Sequence, residues 1–153
     1  MRKTRIMSCK FVLDSYAFME YVNGTSMGQI VREALINGTC VTPSIVIAEL
    51  SNKFHRSGRD DEWEPLLKFI SAKTHVMPLD KQLASKSGKQ KVALRQRVKS
   101  IGLADAIIYQ TAIEAGGNLV SGDEHFEAFY DVIYLKRPDE ALEKIRNLLA
   151  TSD

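Results

Sequence analysis

Short apolar runs alternate along this chain with longer stretches whose apolar positions recur at helical spacing. The first run, residues 10–14, reads as a buried strand around Phe11-Val12-Leu13. Residues 15–22 and 26–36 carry helical patterns, and in the second Ile30, Val31, Ala34 and Leu35 share a face. Asn37-Gly38 is a helix stop, and residues 39–42 form a second strand. Pro43 stands just ahead of the next helix, with Ser44 as its N-cap; that helix runs to about His55 and closes at Ser57-Gly58. Over 61–72 the spacing places Trp63, Leu66, Leu67 and Ile70 on one helix face, read as core. A third strand over 74–78 is followed by a helical stretch, 80–99, interrupted near Ser87-Gly88. Residues 103–115 are strongly helical and end at Gly116-Gly117. Residues 118–120 and 132–135 supply two more strands. The last helix starts at Pro138, a residue suited to a first turn, and its stripe is Ala141, Leu142, Ile145, Leu148 and Leu149. This β-then-α order, with no internal repeat, predicts a layered α/β fold on a mostly parallel sheet.

The length of 153 residues suits one domain. A chain this long buries roughly 70% of its unfolded surface, enough for a core without disulfides. A 44% hydrophobic and 26% charged composition excludes a disordered chain. Cys9 and Cys40 lack metal-ligand spacing and read as free thiols in a reducing cytosol. The basic N-terminal stretch lacks a signal-peptide core, since its apolar run stops at an acid. No run approaches the ~18 apolar residues of a membrane span. The expected setting is cytoplasmic, with no membrane partner.

The net charge of +2 is too small to argue for nucleic acid, but its distribution is uneven. Lys86, Lys89, Lys91, Arg95, Arg97 and Lys99 fall in a stretch, Lys81 to Ala104, that holds no acid. A solvated helix face explains such a run. Its place just before the 103–115 helix offers a second reading, a phosphate-neutralising flank for RNA.

The acids show the sharper pattern. Phe11-Val12-Leu13 stops at Asp14, and Leu119-Val120 leads past Ser121 and Gly122 to Asp123. In a parallel sheet such strand ends share the edge where ligands bind. Glu49, in Ile47-Ala48-Glu49-Leu50, and Asp105, in Leu103-Ala104-Asp105-Ala106, sit early in helical segments beside core-type residues. Each acid alone reads as a cap or a solvated charge. Gathered together, their repulsion calls for a hard divalent cation with oxygen ligands.

Taken in order, these segments resemble a PIN domain, the nuclease fold typified by VapC toxins. The resemblance spans about Lys10 to Leu135 and rests on Leu13-Asp14-Ser15, Ile47-Ala48-Glu49-Leu50, Leu103-Ala104-Asp105-Ala106, and Val120-Ser121-Gly122-Asp123 followed by Phe126. It implies a three-layer α/β/α sandwich with a central five-stranded parallel sheet and a Mg²⁺- or Mn²⁺-dependent ribonuclease. Asp14, Glu49, Asp105 and Asp123 would be the catalytic and metal-binding acids, with Ser15 and Ser121 as hydroxyls that orient them. The implied chemistry is in-line hydrolysis of an RNA phosphodiester by a metal-activated water. The resemblance also implies a small antitoxin that silences the enzyme by placing an Arg or Lys in the acidic pocket. The early helices of such proteins contact that partner and help form a homodimer; here Tyr16, Phe18, Met19 and Tyr21 on the first helix read as core or as that interface.

The chain departs from the pattern at one place. Many VapC-like sequences carry a further Asp two positions after the acid matched here by Asp123, and this chain has His125. Imidazole suits Mg²⁺ poorly, so a Mn²⁺ preference is expected, with His125 touching the metal or substrate or orienting the acids. His55, near a helix end, reads as exposed, and His75, in a strand, as structural.

Three other readings use the same residues. A solitary PIN nuclease in RNA processing or decay needs the same acids. A non-catalytic PIN-like RNA- or protein-binding module would not need all four. A haloacid-dehalogenase-like phosphatase wants a second Asp at position 16, which is Tyr16, and a receiver domain wants an acid pair that the run before Asp14 lacks.

Overall fold

The computed structural model describes residues 9–151. The basic stretch weighed above as a signal peptide begins at Met1, and residues 1–8 lie outside the described residues. The strands are β1 (Phe11–Leu13), β2 (Cys40–Pro43), β3 (His75–Met77), β4 (Asn118–Ser121) and β5 (Ile133–Tyr134). The helices are α1 (Ser15–Val22), α2 (Ser26–Asn37), α3 (Ser44–Arg56), α4 (Asp60–Lys73), α5 (Lys81–Leu94), α6 (Leu103–Ala115) and α7 (Pro138–Ala150). A 3₁₀ turn, Glu124–Phe126, follows β4.

The sheet is five-stranded and parallel throughout, in the order β3-β2-β1-β4-β5. The crossovers from β1 to β2 and from β2 to β3 step one way, and the crossover from β3 to β4 steps back. Right-handed crossovers therefore place α1–α4 and α5–α6 on opposite faces, the α/β/α arrangement expected from the sequence. Helix α6 lies across β1, β2 and β4, with α5 packed against it, while α7 closes on α2 and β5. The central strands are buried on both sides, which explains why Phe11-Val12-Leu13 reads as a continuous apolar run. Trp63, Leu66 and Ile70 join the core as expected, with Leu67 packed at its margin.

Some local expectations are corrected. Helix α5 runs unbroken through Ser87-Gly88 and stops at Leu94. Ser87 is buried and donates from Oγ to the Leu83 carbonyl at 2.7 Å, so its hydroxyl is satisfied inside the helix. Ser44 is the first residue of α3; Pro43 holds the cap position and has no side chain to bond. The Ser44 hydroxyl instead accepts the Leu79 N–H at 3.0 Å, tying α3 to the segment after β3. His75 lies in β3 as expected, but its side chain is exposed because β3 is an edge strand. Strand limits differ from the sequence reading by one or two residues, as is usual at element ends.

Helices α1 and α2 cross at Gly28. A β-carbon there would stand 2.1 Å from the Glu20 carbonyl oxygen and 3.0 Å from Tyr21 Cα, both backbone atoms that cannot rotate away. Gly28→Ala is expected to cost about 1–3 kcal/mol by overpacking. Urea melts of the two proteins check this, and coincident midpoints would contradict it.

Candidate active site

The strand order reverses between β1 and β4, and in open α/β sheets ligands bind in the crevice beyond the carboxyl ends at that point. Asp14 directly follows β1, and Asp123 lies two residues past the end of β4. Because β1 and β4 pair in register from Phe11↔Asn118 to Leu13↔Val120, their ends emerge side by side. Glu49 reaches the same edge from α3, and Asp105 from the first turn of α6.

Each acid is held by its local structure. Asp14 is 3% exposed and caps α1, its Oδ1 accepting the Ala17 N–H at 2.9 Å. Asp105 accepts the Gly102 N–H on Oδ2 at 3.0 Å, an acid in a helix's first turn where the dipole favours negative charge. Asp123 accepts the His125 N–H on Oδ1 at 2.9 Å, and its own N–H donates to Ser121 Oγ at 3.0 Å. Glu49 is half-buried, and its Oε1 has no hydrogen-bond partner.

The electrostatics follow from this crowding. Burial pushes the Asp14 carboxyl up to about 7; the Asp123 and Glu49 charges push the same way, against the Ser121 hydroxyl and the Ala17 N–H. Burial also raises Glu49, helped by Asp105 and Asp123, while the Ser15 hydroxyl and Lys53 oppose it. The Ser121 hydroxyl thus faces Asp14 and the Ser15 hydroxyl faces Glu49, each an acid other than the one nearest it in sequence.

His125 enters the cluster itself. Its Nδ1 lies 2.9 Å from Asp105 Oδ2 and 3.3 Å from Asp123 Oδ1, buried and without the alignment of a hydrogen bond to either. One donor atom each from Asp105, Asp123 and His125 lies within 4.8 Å of the others, a spacing that suits a shared cation. The unpartnered Glu49 oxygen and the buried Asp14 point to the same need for positive charge. These residues fit a divalent metal ion.

The basic run does not form one stripe along this edge. Lys86 Nζ pairs with Glu114 at 2.9 Å, and Glu114 is at the opposite end of α6 from Asp105, about 13 Å away at 1.5 Å of rise per residue. Helices α5 and α6 are antiparallel neighbours, so the start of the run points away from the acids. Lys89 and Arg95 are exposed and Lys91 is half-buried. Arg97 donates to the Ala128 carbonyl at 3.0 Å and stacks 4.1 Å from the Phe129 ring centre, bracing a loop. Lys99 alone stands between residues, Val98 and Ser100, that line the pocket beside the acids.

That pocket is also lined by Tyr16 and Lys136, which the sequence reading did not place at the site. The signal was available for Lys136: it follows β5 and so emerges on the same sheet edge as Asp14 and Asp123.

Comparison with known proteins agrees with this architecture. The PIN domain family model matches residues 11–132. No curated protein sequence matches the chain. Among solved structures, the chain resembles Mycobacterium tuberculosis VapC20, a sarcin-ricin loop cleaving toxin, at 14% identity and a TM-score of 0.64, over 78% of this chain and 94% of that one. It resembles VapBC2 from Rickettsia felis, bound to a DNA fragment from its promoter, at 18% identity and a TM-score of 0.63, over 80% and 94%. DNA-bound VapBC from Salmonella typhimurium gives 19% identity and a TM-score of 0.63, over 80% and 94%. With acids at the switch point of a parallel sheet and a family match over most of its length, the chain belongs to the PIN domain family.

Proposed function

We propose that this protein is a metal-dependent endoribonuclease of the VapC kind, silenced by a small antitoxin. The observation that carries this reading is the meeting of Asp14, Glu49, Asp105 and Asp123 at the β1–β4 switch point, with one Glu49 oxygen left unpartnered. Asp105, Asp123 and His125, with Asp14 and Glu49, would hold a Mg²⁺ or Mn²⁺ ion. When bound, such an ion lowers the pKa of water and offsets charge on a phosphate under attack. The chain's own residues prepare the site. Gly102 fixes Asp105, Ser121 sits between Asp14 and Asp123, and Ser15 holds Glu49. Asp14 must give up a proton near neutral pH before it binds a cation, so metal affinity rises with pH toward about 7.

The antitoxin partner is supported by two of the structures of similar fold, which are VapBC assemblies bound to DNA. A homodimer is part of the same reading. Among the described residues no helix is long and apolar enough to cross a membrane.

The test is cleavage of a single-stranded RNA and a matched DNA in Mn²⁺, Mg²⁺ or EDTA, with Glu49→Gln alongside. RNA cleavage that stops in EDTA is expected. Loss of Glu49 should exceed the about 10–100-fold cost typical of residues outside a metal's direct ligands. Cleavage that survives EDTA, or an active Glu49→Gln, would contradict the reading. His125 adds a second expectation: tighter binding of Mn²⁺ than of Mg²⁺, with the gap narrowed in His125→Asp. Calorimetric titration of both ions checks it, and equal affinities in the wild type would remove it.

A further inference from the structure

Beside the acids lies a pocket of about 620 Å³ whose lining includes an aromatic ring and a lysine, Tyr16 and Lys136. Tyr16 stands in the first turn of α1, and its ring rests against Gly122. A β-carbon at that glycine would come within 2.2 Å of ring atom Cε1, so the missing side chain is what admits the ring to the strand-end backbone. Lys136, just past β5, places its Nζ 5.7 Å from the centre of the Tyr16 ring. Its one carboxylate contact among the described residues, Glu124 Oε1 at 3.5 Å, is with a side chain 80% exposed. Asp123 and His125 line the same pocket.

We propose that this pocket seats one unstacked nucleotide of a single-stranded RNA next to the scissile phosphate, its base on Tyr16 and its phosphate on Lys136. The proposal rests on the nuclease reading and deepens it. The volume falls within the roughly 300–1,000 Å³ of pockets that enclose small ligands. Asp123, Glu124 and Glu127 line the pocket, and Lys136 is the only lysine or arginine among its lining residues, so a phosphate has one place to settle. An exposed ion pair is weak enough to exchange Glu124 for a phosphate. An aromatic face accepts any base, whereas an A-form duplex keeps its bases stacked and offers Tyr16 none.

The test uses catalytically silenced Asp14→Asn protein in Mn²⁺, titrated by fluorescence anisotropy with a labelled single-stranded RNA and with the same strand in a duplex, over a range of salt. The single strand should bind more tightly than the duplex. Adding Tyr16→Leu should weaken single-strand binding about 5- to 100-fold, the range carried by base–aromatic stacking, and Tyr16→Trp should retain it. Adding Lys136→Ala should reduce the salt slope for the single strand by about 0.7, one phosphate contact. Lys136 is exposed, so that variant needs no repacking, and thermal melts confirm that each protein is folded. Single-strand affinity unchanged by Tyr16→Leu, a salt slope unchanged by Lys136→Ala, or equal binding of the duplex would overturn the proposal and leave the nuclease reading standing. Parent protein that binds neither RNA would overturn both.

Discussion

Asp14→Asn should abolish RNA cleavage and, at pH 8 without metal, should make the protein more stable. The two effects have one origin. Asp14 is buried at the end of β1, and its carboxyl titrates at about 7 rather than near the ordinary 3.8. Between those values the folded protein keeps a proton that the unfolded chain has released. The unfolded state then binds fewer protons, so stability falls as pH rises from about 4 to about 7 and levels off above. The full difference is worth up to about 4 kcal/mol. Asparagine keeps an oxygen for the Ala17 N–H and carries no charge. Without metal, the variant should already melt somewhat above wild type at pH 5, where about 1.6 kcal/mol of the difference is in place. At pH 8 the variant should melt higher, by about 2–4 °C for each kcal/mol relieved. Added Mn²⁺ should reverse the order at pH 8, because it binds the full ligand set of the wild type more tightly than that of the variant. Melting curves at the two pH values, with and without Mn²⁺, check this. A wild-type melting temperature that does not fall between pH 5 and pH 8 without metal would contradict it.

Phe126→Ala should cost about 3–5 kcal/mol, the range for a buried aromatic truncated in a core. Phe126 is 1% exposed and packs between Tyr109, at 6.4 Å between ring centres, and Phe129, at 6.1 Å. Against a total stability of about 5–15 kcal/mol, that is a large fraction. The loss should reach the site as well. Phe126 ends the 3₁₀ turn that begins at Glu124, and this turn orients His125 and the Asp123 cap. Urea unfolding and Mn²⁺ affinity should therefore fall together. Tyr130→Ala is the control, since Tyr130 is 83% exposed and its loss should move neither. A Phe126→Ala midpoint within about 1 kcal/mol of wild type would refute the anchoring role.

The acids were legible because their signals are local. A strand that stops at an acid, and an acid in the first turn of a helix, are written in a few consecutive residues. The same holds for α6, whose limits match the sequence reading, and for α7, which opens on Pro138. What the sequence did not show needed tertiary information. Nothing near Lys86 says that α5 runs antiparallel to α6, which turns the start of the basic run away from the acids and onto Glu114. Ser87-Gly88 has the composition of a break, yet burial and the bond to Leu83 keep the helix whole. The place of His125 depends on how a one-turn 3₁₀ segment folds back over Asp105. Strand order, and with it the adjacency of β1 and β4 that puts Asp14 beside Asp123, is set by tertiary packing and is written in no local segment.

The most direct test of the central claim sets two curves from one sample on a common axis: Mn²⁺ bound, from electron paramagnetic resonance, and RNA cleavage rate, both against total Mn²⁺. The account predicts that cleavage rises with occupancy of the bound ion and that both are lost in Asp105→Asn. Cleavage at full rate with no Mn²⁺ bound, or bound Mn²⁺ that Asp105→Asn leaves intact, would contradict it.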